Sequence, residues 1–225
     1  MYALRAALGG AYPAAMPAPA STVVLLVRHG RTPTTGVLVP GRSPGHALDA
    51  EGRRQAEHAA RRISRLGPVA AVYTSPLLRT RQTAAPIARA CGRPVVAERR
   101  LLEVDVGAWT GLRLGRLRRR REWAQVQQRP STFRFPGGES FTEVQVRMVN
   151  ALEDMVARHR GGLVVAVSHA DPIKTALAHA LGLPLDLFQR LTVAPGSISV
   201  VAYASAPRLL TLNSLDGDLA PLVAR

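Results

Sequence analysis

The chain has 225 residues and a formal net charge of +15, from 30 basic and 15 acidic residues. This length fits one globular domain with a sizeable core, and no apolar run approaches the roughly 18 to 20 residues of a membrane span. The single cysteine, Cys91, excludes an internal disulfide and a cysteine-rich metal site.

The positive charge has two interpretations. A clustered basic face is typical of proteins that bind the phosphate backbone of nucleic acids. However, Lys174 is the only lysine among the basic residues, and the arginines accompany abundant Ala, Gly and Pro, which is equally typical of a GC-rich coding sequence. We therefore relate the charge to solubility and non-specific association, and favour a small molecule over nucleic acid as the partner.

The first 21 residues differ in character from the rest of the chain. Their mild apolarity is broken by Gly9, Gly10 and Pro13, so we predict a disordered leader. A cleaved signal is the alternative, and Met16 is an alternative start. Residues 22–225 are predicted to form one domain.

The stretch TVVLLVRHGRT opens this domain. Its continuous apolar run, Val23 to Val27, predicts a strand buried on both faces, with Arg28 and His29 at the carboxyl end. In an open α/β sheet, ligands bind at that end. The loop over residues 30–47 holds four glycines and three prolines, and we expect it to line a site.

Two helices and a strand follow. A helix is predicted from near Asp49, and residues 69–74 predict a second buried strand. Ser75, followed by proline, predicts the N-cap of a helix that carries Arg79 in its first turns. We expect Pro86 to kink or restart that helix.

The middle of the chain is rich in turns and arginine. Residues 94–97 predict a third strand, and the segment 101–111 carries Glu103. Six arginines then lie between Arg113 and Arg121, without interleaved aromatic residues, which argues against a platform for stacking single strands. The run indicates either a solvated helix face or part of a cationic lid over residues 112–139.

The last third contains a long helix and a second histidine after a strand. Ser140 and Glu143 have the spacing of a capping box. The apolar strand over residues 163–168 ends at His169, and Asp171 with the following proline opens the next helix. Closing strands are predicted over 198–203 and 209–212.

These elements deliver chemical groups to one edge of the predicted sheet. His29 and His169 each follow a buried strand, while Arg28 and Arg79 offer planar forks that bind phosphate oxygens. An unprotonated histidine can attack phosphorus and form a covalent intermediate, and a carboxyl group must then protonate the leaving oxygen. Glu103 is the best candidate for that acid. Two histidines without Cys, HExxH or EF-hand spacing give no recognisable metal site.

The ordered motifs resemble a known family. LVRHG, LDAEGRRQA, SPLLRTRQTA, LLEVDVGAWTG and VVAVSHADPIKTAL are similar to the successive signatures of the histidine phosphatase superfamily, also called phosphoglycerate mutase-like. The resemblance covers roughly residues 22 to 213. GRSPGHALD, FPGGES and LPLDLFQR are most similar to an actinobacterial phosphomutase group within it.

The resemblance implies an α/β fold: a three-layer α/β/α arrangement with a mostly parallel sheet and a small helical covering segment. It implies that His29, in the RHG motif, is the phosphate-accepting nucleophile and that Glu103 is the general acid. The implied phosphate pocket consists of Arg28, Arg79 and His169, with Arg42 as a loop residue near the substrate.

The resulting hypothesis is a phosphatase that hydrolyses small phosphomonoesters through a phosphohistidine, without a metal or other cofactor. We expect a cytoplasmic protein whose substrate is a small phosphorylated metabolite, and leave its oligomeric state open, with a dimer as one option. The first alternative is a mutase of the phosphoglycerate mutase type. The second is a catalytically silent module that binds anions or nucleic acid.

Overall fold

The computed structural model describes residues 21–223, so the predicted leader lies outside the described residues apart from Ser21. Within this range one six-stranded sheet has the order β3-β2-β4-β1-β5-β6. The strands are β1 (Thr22–Arg28), β2 (Val69–Thr74), β3 (Val95–Ala97), β4 (Leu163–Ser168), β5 (Ile198–Tyr203) and β6 (Pro207–Ser214). The helices are α1 (Ala50–Ile63), α2 (Leu78–Ala90), α3 (Leu114–Leu117), α4 (Arg121–Gln128), α5 (Phe141–Arg158), α6 (Ala170–Ala180) and α7 (Ala220–Val223).

The sheet is parallel where the two histidines emerge. β1 pairs in parallel with β4, β4 with β2, and β2 with β3, whereas β5 and β6 are antiparallel additions at the other edge. The β1–β4 register sets Arg28 opposite Ser168. His29 and His169 therefore leave neighbouring strands at the same level.

Alternating side chains of β1 enter two separate cores, as a strand covered on both faces requires. Val23, Leu25 and Val27 pack in a cluster with residues of α1 and α2. Val24 and Leu26 pack with residues of α5 and α6 on the opposite face. The predicted three-layer α/β/α arrangement is confirmed.

A third apolar cluster lies beneath the covering segment formed by α3 and α4. Its aromatic members pack in edge or tilted contact and include Trp109, Phe133, Phe135, Phe141 and Phe188. The six arginines between Arg113 and Arg121 are all exposed. The guanidinium carbon of Arg120 lies 6.0 Å from the ring centroid of Trp109. The exposure of all six agrees with the interpretation of a solvated helix face.

Of the predictions for helix ends, that for α5 is confirmed and that for the start of α2 is wrong. Ser140 and Glu143 form the predicted capping box at the start of α5. Ser75 is not the N-cap of α2, because that helix begins at Leu78 with Leu77 at the cap position. The same helix continues through Pro86 to Ala90 and does not restart there.

None of the helices within residues 21–223 combines the length and apolarity needed to cross a membrane.

Candidate active site

The two histidines meet at the carboxyl edge of the parallel strands. Their ring centroids lie 5.2 Å apart, with an interplanar angle of 64°. His29 is 6% exposed and His169 is fully buried. The backbone N–H of His29 donates to the Ser168 carbonyl over 3.0 Å, which fixes the end of β1 against the end of β4.

The His29 ring is oriented by its own chain. Its Nδ1 lies 2.8 Å from the Gly30 carbonyl oxygen, which can only accept a hydrogen bond, so Nδ1 carries a proton. Burial, reinforced by the charges of Arg79 and Arg28, holds the pKa of His29 well below its ordinary value of 6.5. At neutral pH the Nε2 lone pair is therefore free.

Two guanidinium groups flank the histidines, that of the buried Arg79 and that of the half-buried Arg28. Arg79, 2% exposed, donates to the Gly41 carbonyl over 2.9 Å, and Arg28 donates to the Val193 carbonyl over 2.6 Å. The Nε atom of each arginine is buried and has no partner among the described residues. Buried N–H donors are normally satisfied, so these two remain available for an anion.

Glu103 faces the second histidine. Its Oε2 lies 3.8 Å from His169 Nδ1, and its Oε1 accepts from the Val104 N–H over 2.9 Å. Burial and the nearby charge of Asp171 raise the pKa of Glu103 to about 7, against the lowering effect of Arg79. A substantial fraction of the carboxyl groups therefore carries a proton at neutral pH.

His169 contacts Ser75, the residue that the sequence predicted to be the N-cap of α2. Its Nε2 lies 2.9 Å from the Ser75 hydroxyl oxygen. Its pKa is held well below 6.5 by burial and by the charge of Arg79, so the ring is neutral at pH 7 before an anion binds. Ser75 follows β2 directly, so its place after a buried strand was the signal that could have identified this contact.

Arg42 lies on the outer side of Glu103. Its Nε donates to the Glu103 carbonyl over 2.9 Å, and its guanidinium group pairs with Glu139 at 2.7 Å. Arg147 also donates to the Glu103 carbonyl, over 3.2 Å, and hydrogen-bonds Glu139. These contacts fix the backbone that carries the carboxyl group, and a direct contact of Arg42 with substrate stays a prediction. The sequence carried no signal for Arg147 or Glu139, which lie far along the chain from Glu103.

Close backbone packing positions the loop after β1. A Cβ atom on Gly30 would lie 2.3 Å from the Gly52 carbonyl oxygen, and one on Gly52 would lie 2.0 Å from the Arg31 carbonyl oxygen. The loop that begins with His29 therefore rests directly on the first turn of α1, where Asp49 accepts from the Gly52 N–H over 2.7 Å. Only glycine fits at both contact positions.

Between residues 21 and 223 no three His, Cys, Asp or Glu side chains form a group that could hold a metal ion. The expectation of metal-independent chemistry remains a prediction for solution experiments.

The geometry of the site agrees with the family comparison. The sequence profile of the "Histidine phosphatase superfamily (branch 1)" matches residues 24–214. The chain belongs to this superfamily, and the resemblance found in the motifs is confirmed.

Particular relatives carry different names. The "Bifunctional protein Rv2228c" of Mycobacterium tuberculosis is 34% identical over 198 residues, a match that covers 84% of this chain but only 53% of that protein. The chain thus spans about half the length of this relative. "Probable phosphoglycerate mutase GpmB" of Klebsiella pneumoniae is 36% identical over 189 residues, covering 83% of this chain and 87% of GpmB.

A solved structure of "mycobacterial glucosyl-3-phosphoglycerate phosphatase Rv2419c" superimposes with a TM-score of 0.78 at 26% identity. The superposition covers 86% of this chain and 99% of that one.

Proposed function

We propose that this protein is a phosphoric monoester hydrolase that acts on small phosphorylated metabolites through a phosphohistidine. The observation that carries the proposal is the His29 ring, whose Nδ1 proton is directed to the Gly30 carbonyl while its pKa is held low. That arrangement leaves Nε2 as a nucleophile at neutral pH.

In the first step, the phosphoryl group binds between Arg28, Arg79 and His169. His29 Nε2 attacks phosphorus, the bond from phosphorus to the ester oxygen breaks, and the Glu103 carboxyl group gives its proton to the departing alcohol. Charge on the equatorial oxygens is stabilised by the fixed guanidinium groups.

In the second step, a water molecule attacks the phosphohistidine. The Glu103 carboxylate takes the proton of that water, and the bond between phosphorus and Nε2 breaks to release phosphate. The same group thus acts first as acid and then as base, as a pKa of about 7 permits. We propose that both steps need no metal and are unaffected by chelators.

A phosphomutase is the second candidate, and the similarity to GpmB favours it. A mutase must return the phosphoryl group to a second hydroxyl of the substrate before water reaches it. The Glu103 side chain is 18% exposed, which gives water a path to the group that would activate it. This exposure favours hydrolysis, and the amounts of phosphate and of isomer formed from phosphorylated sugars and acids separate the two.

A silent anion-binding module is the alternative from another class. We favour a small metabolite over nucleic acid, because His29, Glu103 and two guanidinium groups lie together at one edge of the sheet, whereas the arginines between Arg113 and Arg121 are not interleaved with aromatic residues. We also propose a cytoplasmic location, and a dimer remains one option for the oligomeric state.

The test is steady-state hydrolysis of p-nitrophenyl phosphate by wild type, His29→Ala and His179→Ala. His179 is an exposed histidine near the end of α6, so it controls for loss of an imidazole. We expect His29→Ala to lose at least about a thousandfold in kcat, because no covalent route remains, and His179→Ala to match wild type. Activity retained by His29→Ala would rule out the proposed role of His29.

A further inference from the structure

A cavity of about 220 Å³ lies between the covering segment and α6. Its wall is aromatic, with Trp109, Trp123, Phe135 and Phe141 among the lining residues. Trp109 and Trp123 stack with their centroids 6.4 Å apart. A larger cavity of about 580 Å³ lies beside Thr22, at the opposite end of β1 from His29.

The smaller cavity shares Asp171 with the surroundings of the proposed active site, because the charge of Asp171 acts on both Glu103 and Arg28. Asp171, which lines it, is two residues beyond His169 in the first turn of α6. Val106 lies three residues beyond Glu103, and Val39 comes from the loop that follows β1. The segments that carry His29, Glu103 and His169 therefore each contribute a residue to the walls of this cavity, whereas α2, which carries Arg79, does not.

No lysine or arginine within residues 21–223 lines the cavity. Asp171 is the only charged residue among those that line it. The nearest ammonium group, on Lys174, is already held 3.6 Å from Asp171 and donates to Gln189 over 3.1 Å. The exposed arginines of the covering segment are not among the lining residues.

The cavity should therefore bind an apolar alcohol portion of a substrate more favourably than one that carries a carboxylate. An aromatic or branched apolar group gains by leaving water for this wall, and edge contacts with the tryptophans add to that gain. A carboxylate would lose hydration and find no cationic side chain among the described lining residues to compensate for it. Such pockets bind apolar groups and use a few polar residues for orientation.

We propose that this cavity receives the alcohol portion of the substrate, and that the preferred substrates are phosphomonoesters of uncharged aromatic or apolar alcohols rather than of hydroxy acids. The proposal rests on the proposed phosphatase function. It assigns a specificity to that activity and places the determinant in the covering segment.

The experiment compares kcat/KM for phenylpropyl phosphate with that for the counterpart in which a carboxylate replaces the phenyl ring. Both esters release a primary alcohol, so their chemical steps are similar. We expect wild type to prefer the phenyl ester by about tenfold or more, the factor that follows from burying much of a ring.

A matched pair of variants locates the preference. Gln127 lines the cavity, while its neighbour Gln128 does not, and both are exposed on α4. Gln127→Arg supplies the missing cation and is expected to reduce the preference at least about threefold. Gln128→Arg adds the same charge outside the cavity and should keep the wild-type ratio.

The outcomes separate this inference from the function on which it rests. Equal or greater activity on the carboxylate ester, in an enzyme that hydrolyses p-nitrophenyl phosphate, would overturn the specificity alone. A preference that changes equally in both variants would overturn its location in the cavity. Failure to hydrolyse every ester, p-nitrophenyl phosphate included, would overturn the phosphatase function itself.

Discussion

Two titratable groups in this pocket have pKa values displaced in opposite directions. The pKa of His29 is held well below 6.5, so its ring is neutral with one proton on Nδ1, while the pKa of Glu103 is raised to about 7, so a substantial fraction of its carboxyl groups is protonated at neutral pH. Burial disfavours the charged form of each and is the main cause in both cases. At neutral pH the site therefore offers a neutral imidazole with a free lone pair and a protonated carboxyl group together. Their different surroundings suit them to different roles in catalysis.

The pH dependence of kcat follows from these directions. Activity should fall on the acid side only well below pH 6.5, where His29 gains a second proton, and on the alkaline side above about 7, as Glu103 loses its proton. Glu103→Gln cannot lose a proton in this range. We expect it to lower kcat by roughly a hundredfold to ten-thousandfold and to remove the alkaline limb of the profile.

Stopped or continuous phosphate-release assays from pH 5 to pH 9 would measure both profiles. An alkaline limb that persists in Glu103→Gln would show that another group is the acid.

At the level of single residues, the sequence predicted the two histidines, two arginines and the glutamate because each follows an apolar strand or a recognisable motif. The contacts that shift the pKa values of these residues or orient their side chains were not predictable from the sequence. Asp171 looked only like a helix opener, and its effect on Glu103 depends on how α6 packs against the segment 101–111. Ser75 carried a capping signal, yet its hydroxyl group meets His169 Nε2.

At the level of elements, the site depends on a close approach between the loop after β1 and the first turn of α1. Gly30 and Gly52 allow two backbones to touch where any side chain would clash. The register of β1 with β4 then sets His29 and His169 side by side. Strand pairing and glycine packing together hold His29, the proposed nucleophile.

Gly52→Ala tests this contact. Its Cβ would lie 2.0 Å from the Arg31 carbonyl oxygen, so the loop that carries His29 must shift. We expect a loss of stability of about 1 to 3 kcal/mol and, because misplacement of a reacting group by about 1 Å costs about a hundredfold, a marked fall in kcat.

The matched control is Gly115→Ala in α3, where an added Cβ meets no atom within 4 Å. Thermal unfolding and kcat should show Gly115→Ala near wild type. If Gly52→Ala behaved like this control in both measurements, the contact would not position His29.

The first and last residues of three buried strands were predictable from the sequence, whereas those of the edge strand β6 were not. The bounds of β2, β4 and β5 agree with the sequence prediction because each is a continuous apolar run with a clear end. β6 is half-exposed and extends from Pro207 to Ser214, beyond the predicted residues 209–212, because pairing with β5 decides its length. The start of α2 was misjudged because a tertiary contact, rather than a cap, uses the Ser75 side chain.

At the level of the whole molecule, the excess positive charge lies largely on exposed surfaces. All six arginines between Arg113 and Arg121 are exposed, and none of them forms an ion pair among the described residues. Exposed charges are screened by salt within about 8 Å at physiological ionic strength. This surface therefore influences solubility and encounter rates more than the chemical step. The lid proposed over residues 112–139 is not needed to explain the charge.

Replacing three of these arginines with a neutral residue tests whether the charge acts on encounter with substrate or on the chemical step. We expect the triple variant Arg118→Gln, Arg119→Gln and Arg121→Gln to keep kcat and to lose less than about threefold in kcat/KM at physiological salt. The salt dependence of kcat/KM should weaken slightly. A loss of kcat by tenfold or more would instead assign these arginines to a lid that acts during turnover.

The central claim is that His29 accepts the phosphoryl group. Rapid-quench experiments with a radiolabelled phosphomonoester, followed by peptide mapping, test it most directly. We predict an acid-labile, base-stable label on the peptide that contains His29, formed and lost at least as fast as turnover, and absent from His29→Ala. Turnover by the wild-type enzyme with no labelled intermediate, or a label on another residue, would contradict the mechanism.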